Sequence, residues 1–146
     1  MATIRETLAP SAGEIDVLRQ IIRTANSAVR SEPDGYQPVG FMLPDAETGE
    51  TIGGLNGHAG YDWLFVQYLA VPPELRGQGV GSALLQRAEQ WARERGLIGI
   101  WLDTFAFGAP DFYRRHGFSE FATIEGFPKG SRRHYFLKRL NTVASP

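Results

Sequence analysis

The sequence predicts an α/β (α+β) protein: one mixed, mostly antiparallel sheet of about six to seven strands carrying about three to four helices. Three observations lead there. Short apolar stretches with strand character alternate with segments whose apolar residues recur every three or four positions. Turn chemistry of the hairpin kind joins some neighbouring stretches, which makes them antiparallel. Helical stretches separate others, which gives the sheet mixed direction. The chain's 146 residues fit one domain over residues 1–146.

Thr3 to Leu8 alternates apolar and polar residues and reads as a first short strand. Ser11 caps a helix over Ala12 to Arg30, where Ile15, Leu18, Ile21, Ile22, Ala25 and Val29 form one apolar stripe. A loop with Pro33, Gly35 and Pro38 follows. Val39 to Leu43 and Thr51 to Ala59 read as strands around the turn Asp45 to Gly49. Trp63 to Val71 is apolar almost throughout, as a central strand covered on both faces would be, and Pro72 and Pro73 end it. Val80, Leu84, Leu85, Ala88, Trp91 and Ala92 make a second helical stripe that stops at Gly96. Leu97 to Leu102 is again a strand. Pro110 to His116 is a short helix opened by proline and closed by Gly117. Phe118 to Thr123 and His134 to Leu140 complete the sheet.

Composition narrows the functional classes. Cysteine is absent, which removes disulfide scaffolds, thiolate zinc sites and thiol nucleophiles together. Three histidines, His58, His116 and His134, make a conventional catalytic zinc site a poor expectation, and no metal is assigned. The net charge is −1 and the isoelectric point about 6.3, against about 9 for a nucleic-acid-binding footprint; no nucleic-acid partner is expected. No apolar run of membrane-spanning length and no leader-like N-terminus occur, so a cytoplasmic protein with no membrane partner is expected. The charges are unevenly spread: residues 1–62 hold nine acidic against four basic side chains, residues 63–146 seven against eleven.

The most informative stretch runs from Leu69 through Ala70, Val71 and two prolines to Arg76, Gly77, Gln78, Gly79, Val80, Gly81 and Ser82. A strand leads into a loop whose three glycines permit positive φ and close backbone approach, and a helix starts at once. Such a helix start presents unpaired N–H groups and the positive end of a dipole, which suits phosphate or pyrophosphate, and Arg76 adds a fixed charge. An ATP-binding P-loop would require Gly-Lys-Ser/Thr at the helix start, and lysine is missing here. A dinucleotide fingerprint would require Gly-x-Gly-x-x-Gly directly after the strand; here the spacing is Gly77-x-Gly79-x-Gly81 and prolines intervene. Nucleotide binding stays as an alternative through Asp103, which sits near the distance at which that fingerprint has its acid.

Arg76-x-x-Gly79-x-Gly81 between a strand and a helix resembles the acyl-CoA signature of the GCN5-related N-acetyltransferase family. Ala109-Pro-Asp-Phe-Tyr-Arg-Arg-His-Gly-Phe118 is similar to the family's second landmark, an aromatic-tyrosine pair before a Gly-Phe that closes a short helix. The resemblance spans nearly the whole chain. It implies the acyl-CoA N-acyltransferase fold, acetyl-CoA as cosubstrate without a metal, and direct transfer of acetyl to a primary amine of a small molecule or peptide. It further implies that the turn Arg76 to Ser82 holds the pyrophosphate, that Leu69 and Val71 pair with the pantetheine arm, and that an N–H near Leu69 or Ala70 polarises the thioester carbonyl. Phe112 would line the coenzyme site and Tyr113 would protonate the departing thiolate. A non-catalytic acyl-CoA-binding domain of the same fold is the alternative, because Ala106, Phe107 and Gly108 stand where many members carry an asparagine.

An acidic base on the central strand is missing, since Trp63 to Val71 offers only Gln67 and Tyr68 as polar side chains. Asp103, at the end of a strand, is the first candidate for deprotonating or orienting the amine; an ordinary loop or capping carboxylate is the competing reading. His58 with Asp62 is a second candidate relay, and His116 reads as a cation at a helix C-terminus. The loop Ser31 to Pro38 carries Glu32, Asp34 and Tyr36, suited to a polycation. The segment Ile124 to His134 carries Lys129, Arg132 and Arg133, suited to an acidic amine or to phosphates. The two point in opposite directions. Exposed strand edges and the run Tyr135, Phe136, Leu137 offer a surface for homodimer pairing.

Overall fold

The computed structural model describes residues 1–140, so the last six positions of the expected domain lie outside the described residues. Two compact units divide the chain, Met1–Asp34 and Gly35–Pro146.

In the first unit, helix α1 spans Ala12–Val29. Ser11 caps it as expected: its hydroxyl accepts from the Glu14 N–H at 3.1 Å and the Glu14 carboxylate accepts from the Ser11 N–H at 3.2 Å, a reciprocal capping box. Arg5 pairs with Glu14 at 2.8 Å and Arg23 with Asp34 at 2.8 Å. The strand expected over residues 3–8 does not form. Alternation alone supplies no partner, and a strand exists only through the hydrogen bonds of a neighbour.

The second unit is a sheet of six strands, β1 (Gln37–Pro44), β2 (Thr51–Gly60), β3 (Trp63–Ala70), β4 (Gly99–Phe105), β5 (Ser119–Glu125) and β6 (Arg132–Arg139), in the spatial order β1-β2-β3-β4-β6-β5. Only β3 and β4 are parallel; the other neighbours are antiparallel. The β1–β2 turn forms because Asp45 Oδ1 accepts from the N–H groups of Glu47 and Thr48, at 2.9 Å each. These bonds hold the Asp45 carboxyl below its usual range. Helices α2 (Val80–Glu94) and α3 (Pro110–Arg115) complete the unit, and a single 3₁₀ turn, Pro73–Leu75, precedes α2.

The core lies between the sheet and α2 and α3. From α2 come Leu84, Leu85, Ala88 and Ala92, and from the sheet Leu55, Leu64, Val66, Ile100, Leu102 and Phe136. Lys138 of β6 bonds Glu89 of α2 at 3.0 Å, and Arg93 bonds the same carboxylate at 2.8 Å. Burial pushes the Glu89 carboxyl up, but the two cations outweigh it and the group lies below its usual range.

Strand β3 departs from the expected doubly covered strand. It alternates half-buried and buried through Val66, but Gln67 and Tyr68 are exposed. The reason is a β-bulge: Asn56 pairs with Tyr68 and the next β2 residue, Gly57, pairs with Val66, leaving Gln67 extra. One inserted residue exchanges the faces, so Val66 and Leu69 both turn toward the helices. Asn56 pins the bulge, donating to Gln67 Oε1 at 3.1 Å and accepting from the Tyr68 N–H at 3.2 Å.

The run expected to pair with a second copy does not lie at an edge. Strand β6 sits between β4 and β5, and Phe136 is fully buried; the edge strands are β1 and β5. Phe136 sits fully buried in the core, with Tyr113 and Arg114 of α3 against its ring. Its replacement by alanine should cost about 3 to 5 kcal/mol of folding free energy, measured by urea denaturation.

Candidate functional site

Strands β3 and β4 pair over three residues only: Trp63 with Gly99, Leu64 with Ile100, Phe65 with Trp101. Beyond Phe65, β3 has no partner on its β4 side, while β4 goes on pairing with β6 as far as Phe105. Between the diverging strands lies a length of β3 edge that ends in the glycine turn. Leu69 and Val71 pack against the helix-side core there. Ala70 is exposed and pairs with Gly54 of β2.

Gly77 (φ +76°) and Gly79 (φ +77°) occupy the left-handed region, as expected. Gly81 does not, because it already belongs to α2; a Cβ there would make ordinary contact with the Phe112 ring at 3.5 Å and a Val71 methyl at 3.7 Å. Gly79 is the N-cap of α2 and no side chain caps that end. The N–H groups of Val80, Gly81 and Ser82 find no acceptor among the described residues. Arg76 folds back: its Nε donates to the Val71 carbonyl at 3.1 Å. Of Val71's two backbone groups the carbonyl is thereby occupied, so the expected pairing with a ligand strand falls to its N–H. Gln78 donates to the Glu74 carbonyl at 3.0 Å and closes the loop.

Helix α3 brings the aromatic pair to this turn. Phe112 meets Gly81 on one side and the Tyr113 ring on the other, edge-on with centroids 5.2 Å apart. Tyr113 is 8% exposed and packs on Phe118 and Phe136. Burial pushes its phenol up to about 12, and the charge of Asp103 adds to that rise. Among the described residues no group bonds the hydroxyl, and no buried polar side-chain atom is sealed without a partner. The Tyr113 hydroxyl therefore keeps an opening to the outside.

Asp103 is placed differently from a free base. Leu102 of β4 faces the core, so Asp103 projects from the opposite face of the sheet. There its Oδ1 accepts from two nitrogens of Arg133, Nε at 2.7 Å and one terminal nitrogen closer still. Arg133 also lies over the rings of Phe105 and Phe127, at 4.8 and 4.6 Å. Asp103 Oδ2 has no protein partner among the described residues. His58 and Asp62 share no hydrogen bond; His58 stands instead in an aromatic row with Tyr36, Phe65 and Trp101, neighbouring centroids 4.3 to 5.5 Å apart.

Sequence reasoning missed two partnerships. Arg133 was legible as a basic residue, but its pairing with Asp103 depends on strand register. His116 was read as a helix-end cation, yet its ring bonds Ser82 Oγ at 2.9 Å and the Phe112 carbonyl at 2.8 Å. Among the described residues no cluster of three metal-ligating side chains occurs, and no helix is long and apolar enough to cross a membrane.

An alkaline absorbance titration should reveal one phenol ionising near pH 12 that Tyr113→Phe removes. The same shift carries a stability signature. Between about pH 10, where the unfolded phenol ionises, and about pH 12 the folded state keeps a proton that the unfolded chain has lost. Stability should therefore fall with rising pH across that window in the native protein, and less so in the variant.

Comparison with known proteins identifies relatives of this chain. A profile of the acetyltransferase (GNAT) family matches residues 11–118. The blasticidin-S acetyltransferase of Streptomyces morookaense is 45% identical over 95 residues, covering 64% of this chain and 70% of that protein. The crystal structure of a Bacillus cereus acetyltransferase superposes with a TM-score of 0.78 at 30% identity, over 93% of this chain and 98% of that one. A Bacillus anthracis structure, described as a streptothricin acetyltransferase in complex with acetyl-CoA, shares the fold. Its TM-score is 0.61 at 22% identity, over 74% of this chain and 64% of that one.

Proposed function

The chain belongs to the acetyltransferase (GNAT) family and is an acetyl-CoA-dependent N-acetyltransferase, and from that premise we propose that the divergence of β3 and β4 is its reaction centre, with the coenzyme on the helix side and the amine on the opposite face. The observation that carries this reading is the coincidence of an unpaired strand edge with an uncapped helix start. One suits an extended arm that adds to a sheet. The other suits a pyrophosphate.

The N–H groups of Val80, Gly81 and Ser82 hold the pyrophosphate, with Arg76, Gly77, Gln78 and Gly79 shaping the turn around it. The pantetheine arm runs beside Leu69, Ala70 and the Val71 N–H, and Phe112 packs against it. An N–H near Leu69 or Ala70 receives the thioester oxygen as negative charge develops on it. The amine nitrogen forms its bond to the acetyl carbon, the carbon–sulfur bond breaks, and the thiolate takes the proton of Tyr113. A phenol raised to about 12 is fully protonated when the sulfur leaves, so the donor is always loaded.

Asp103 stands on the other face, close enough for its charge to act on Tyr113. With Oδ1 committed to Arg133, Oδ2 is the atom available to orient the amine and accept its proton. The acceptor is a primary amine on a small polar molecule; relatives named for blasticidin-S and streptothricin support that class.

Thiol release from acetyl-CoA against a panel of small amines tests the reading directly, and turnover with none of them would leave it without support. Tyr113→Phe should lower kcat by about 10² to 10⁴-fold while acetyl-CoA binding is kept. An unchanged kcat would remove Tyr113 from the proton path.

A further inference from the structure

His116 lies on no path by which the amine or the thioester would react, yet its ring is fixed at both nitrogens. Nδ1 is 2.8 Å from the Phe112 carbonyl, which can only accept, so Nδ1 carries a hydrogen. In the neutral ring Nε2 is then bare, and at 2.9 Å it accepts the hydrogen of the Ser82 hydroxyl. That hydroxyl belongs to the first turn of α2, beside the open N–H groups of Val80, Gly81 and Ser82. While it donates to His116 it can offer the turn's ligand only oxygen lone pairs. A second proton on the ring reverses the bond. Nε2–H then donates to Ser82 Oγ, and the hydroxyl hydrogen is released to point at an anion.

We propose that His116 is a positioning residue that sets the direction of the Ser82 hydroxyl, so that binding of the coenzyme's pyrophosphate is coupled to uptake of one proton by the imidazole. The inference rests on the assignment of the α2 turn to the pyrophosphate. The surroundings of the ring allow the exchange. Phe112 stacks on it from the same helix with centroids 4.4 Å apart. Lys138 of β6 donates to the His116 carbonyl at 2.9 Å, and its charge is met by Glu89 of α2. Helix α3 adds Arg115 and also Arg114, the latter matched by Asp111 and by Glu120 of β5. Among the described residues no carboxylate bonds the ring, so the anion that balances an imidazolium there is the one the turn binds.

The probe is dephospho-CoA, whose pyrophosphate does not change its charge over the range in which imidazoles titrate. Calorimetry in two buffers of different ionisation enthalpy should show net proton uptake on binding. The dissociation constant should tighten roughly tenfold from about pH 8 to about pH 5.5, the scale of one charge-assisted hydrogen bond. His116→Gln keeps a donor toward Ser82 but cannot titrate; its affinity should be flat with pH, and its acetyl-CoA KM should lose its pH dependence without a matching change in kcat. Nitrogen chemical shifts of the His116 ring in the unaltered protein give the same answer without a substitution: the Nδ1–H tautomer when free, imidazolium when bound. Binding with the same pH slope in His116→Gln, or a ring that stays neutral on binding, overturns the proposal and leaves the pyrophosphate assignment standing. Failure of the native protein to bind acetyl-CoA or dephospho-CoA overturns both.

Discussion

Two parallel strands that stay together for only three residue pairs, β3 and β4, are the constraint on which the rest of this molecule depends. A buried strand edge without a partner leaves N–H and C=O groups that must be satisfied somehow. In the proposed reading a second extended chain, the pantetheine arm, satisfies them. The bulge at Gln67 prepares that edge, because the inserted residue turns Leu69 toward the helix-side core and Tyr68 away from it. The strand thus arrives at the glycine turn with its apolar side buried and its free edge exposed.

The helix side supplies the second half of the site through packing. Phe136 from β6 and Phe118 hold Tyr113, Tyr113 holds Phe112, and Phe112 lies over Gly81 at the first turn of α2. One chain of contacts thus links Tyr113 to the first turn of α2. Burial of the Tyr113 ring raises its phenol to about 12, although a phenol at its ordinary value near 10 already holds its proton at neutral pH.

Charge is divided across the sheet. On the helix side Lys138 and Glu89 tie β6 to α2, while Arg114 joins α3 to Glu120 of β5. Glu120 is also held by His134 and by Thr123 at 2.6 Å, and these bonds keep its carboxyl near 2, well below the ordinary range. On the other face Asp103 and Arg133 form an ion pair roofed by Phe105 and Phe127. Asp103 there has one oxygen committed to Arg133 and one without a protein partner among the described residues.

Features governed by near neighbours in the chain were legible in the sequence. The cap at Ser11, the Asp45 turn, the stripe of α2, the left-handed Gly77 and Gly79, and the Phe112–Tyr113 landmark each depend on spacings of a few residues, which backbone geometry enforces locally. Whatever depends on register or on distant partners was decided by the tertiary structure. Residues 3–8 alternate like a strand and form none, because pairing is a property of two segments. Gly81 was grouped with its neighbours by composition, but it is the second residue of α2 and takes no left-handed φ; that it meets Phe112, thirty-one positions away, is a matter of tertiary packing. Asp103 with Arg133 and Ser82 with His116 are each about thirty residues apart in sequence. Only the folding of strand on strand and of helix on helix brings their atoms within hydrogen-bonding reach.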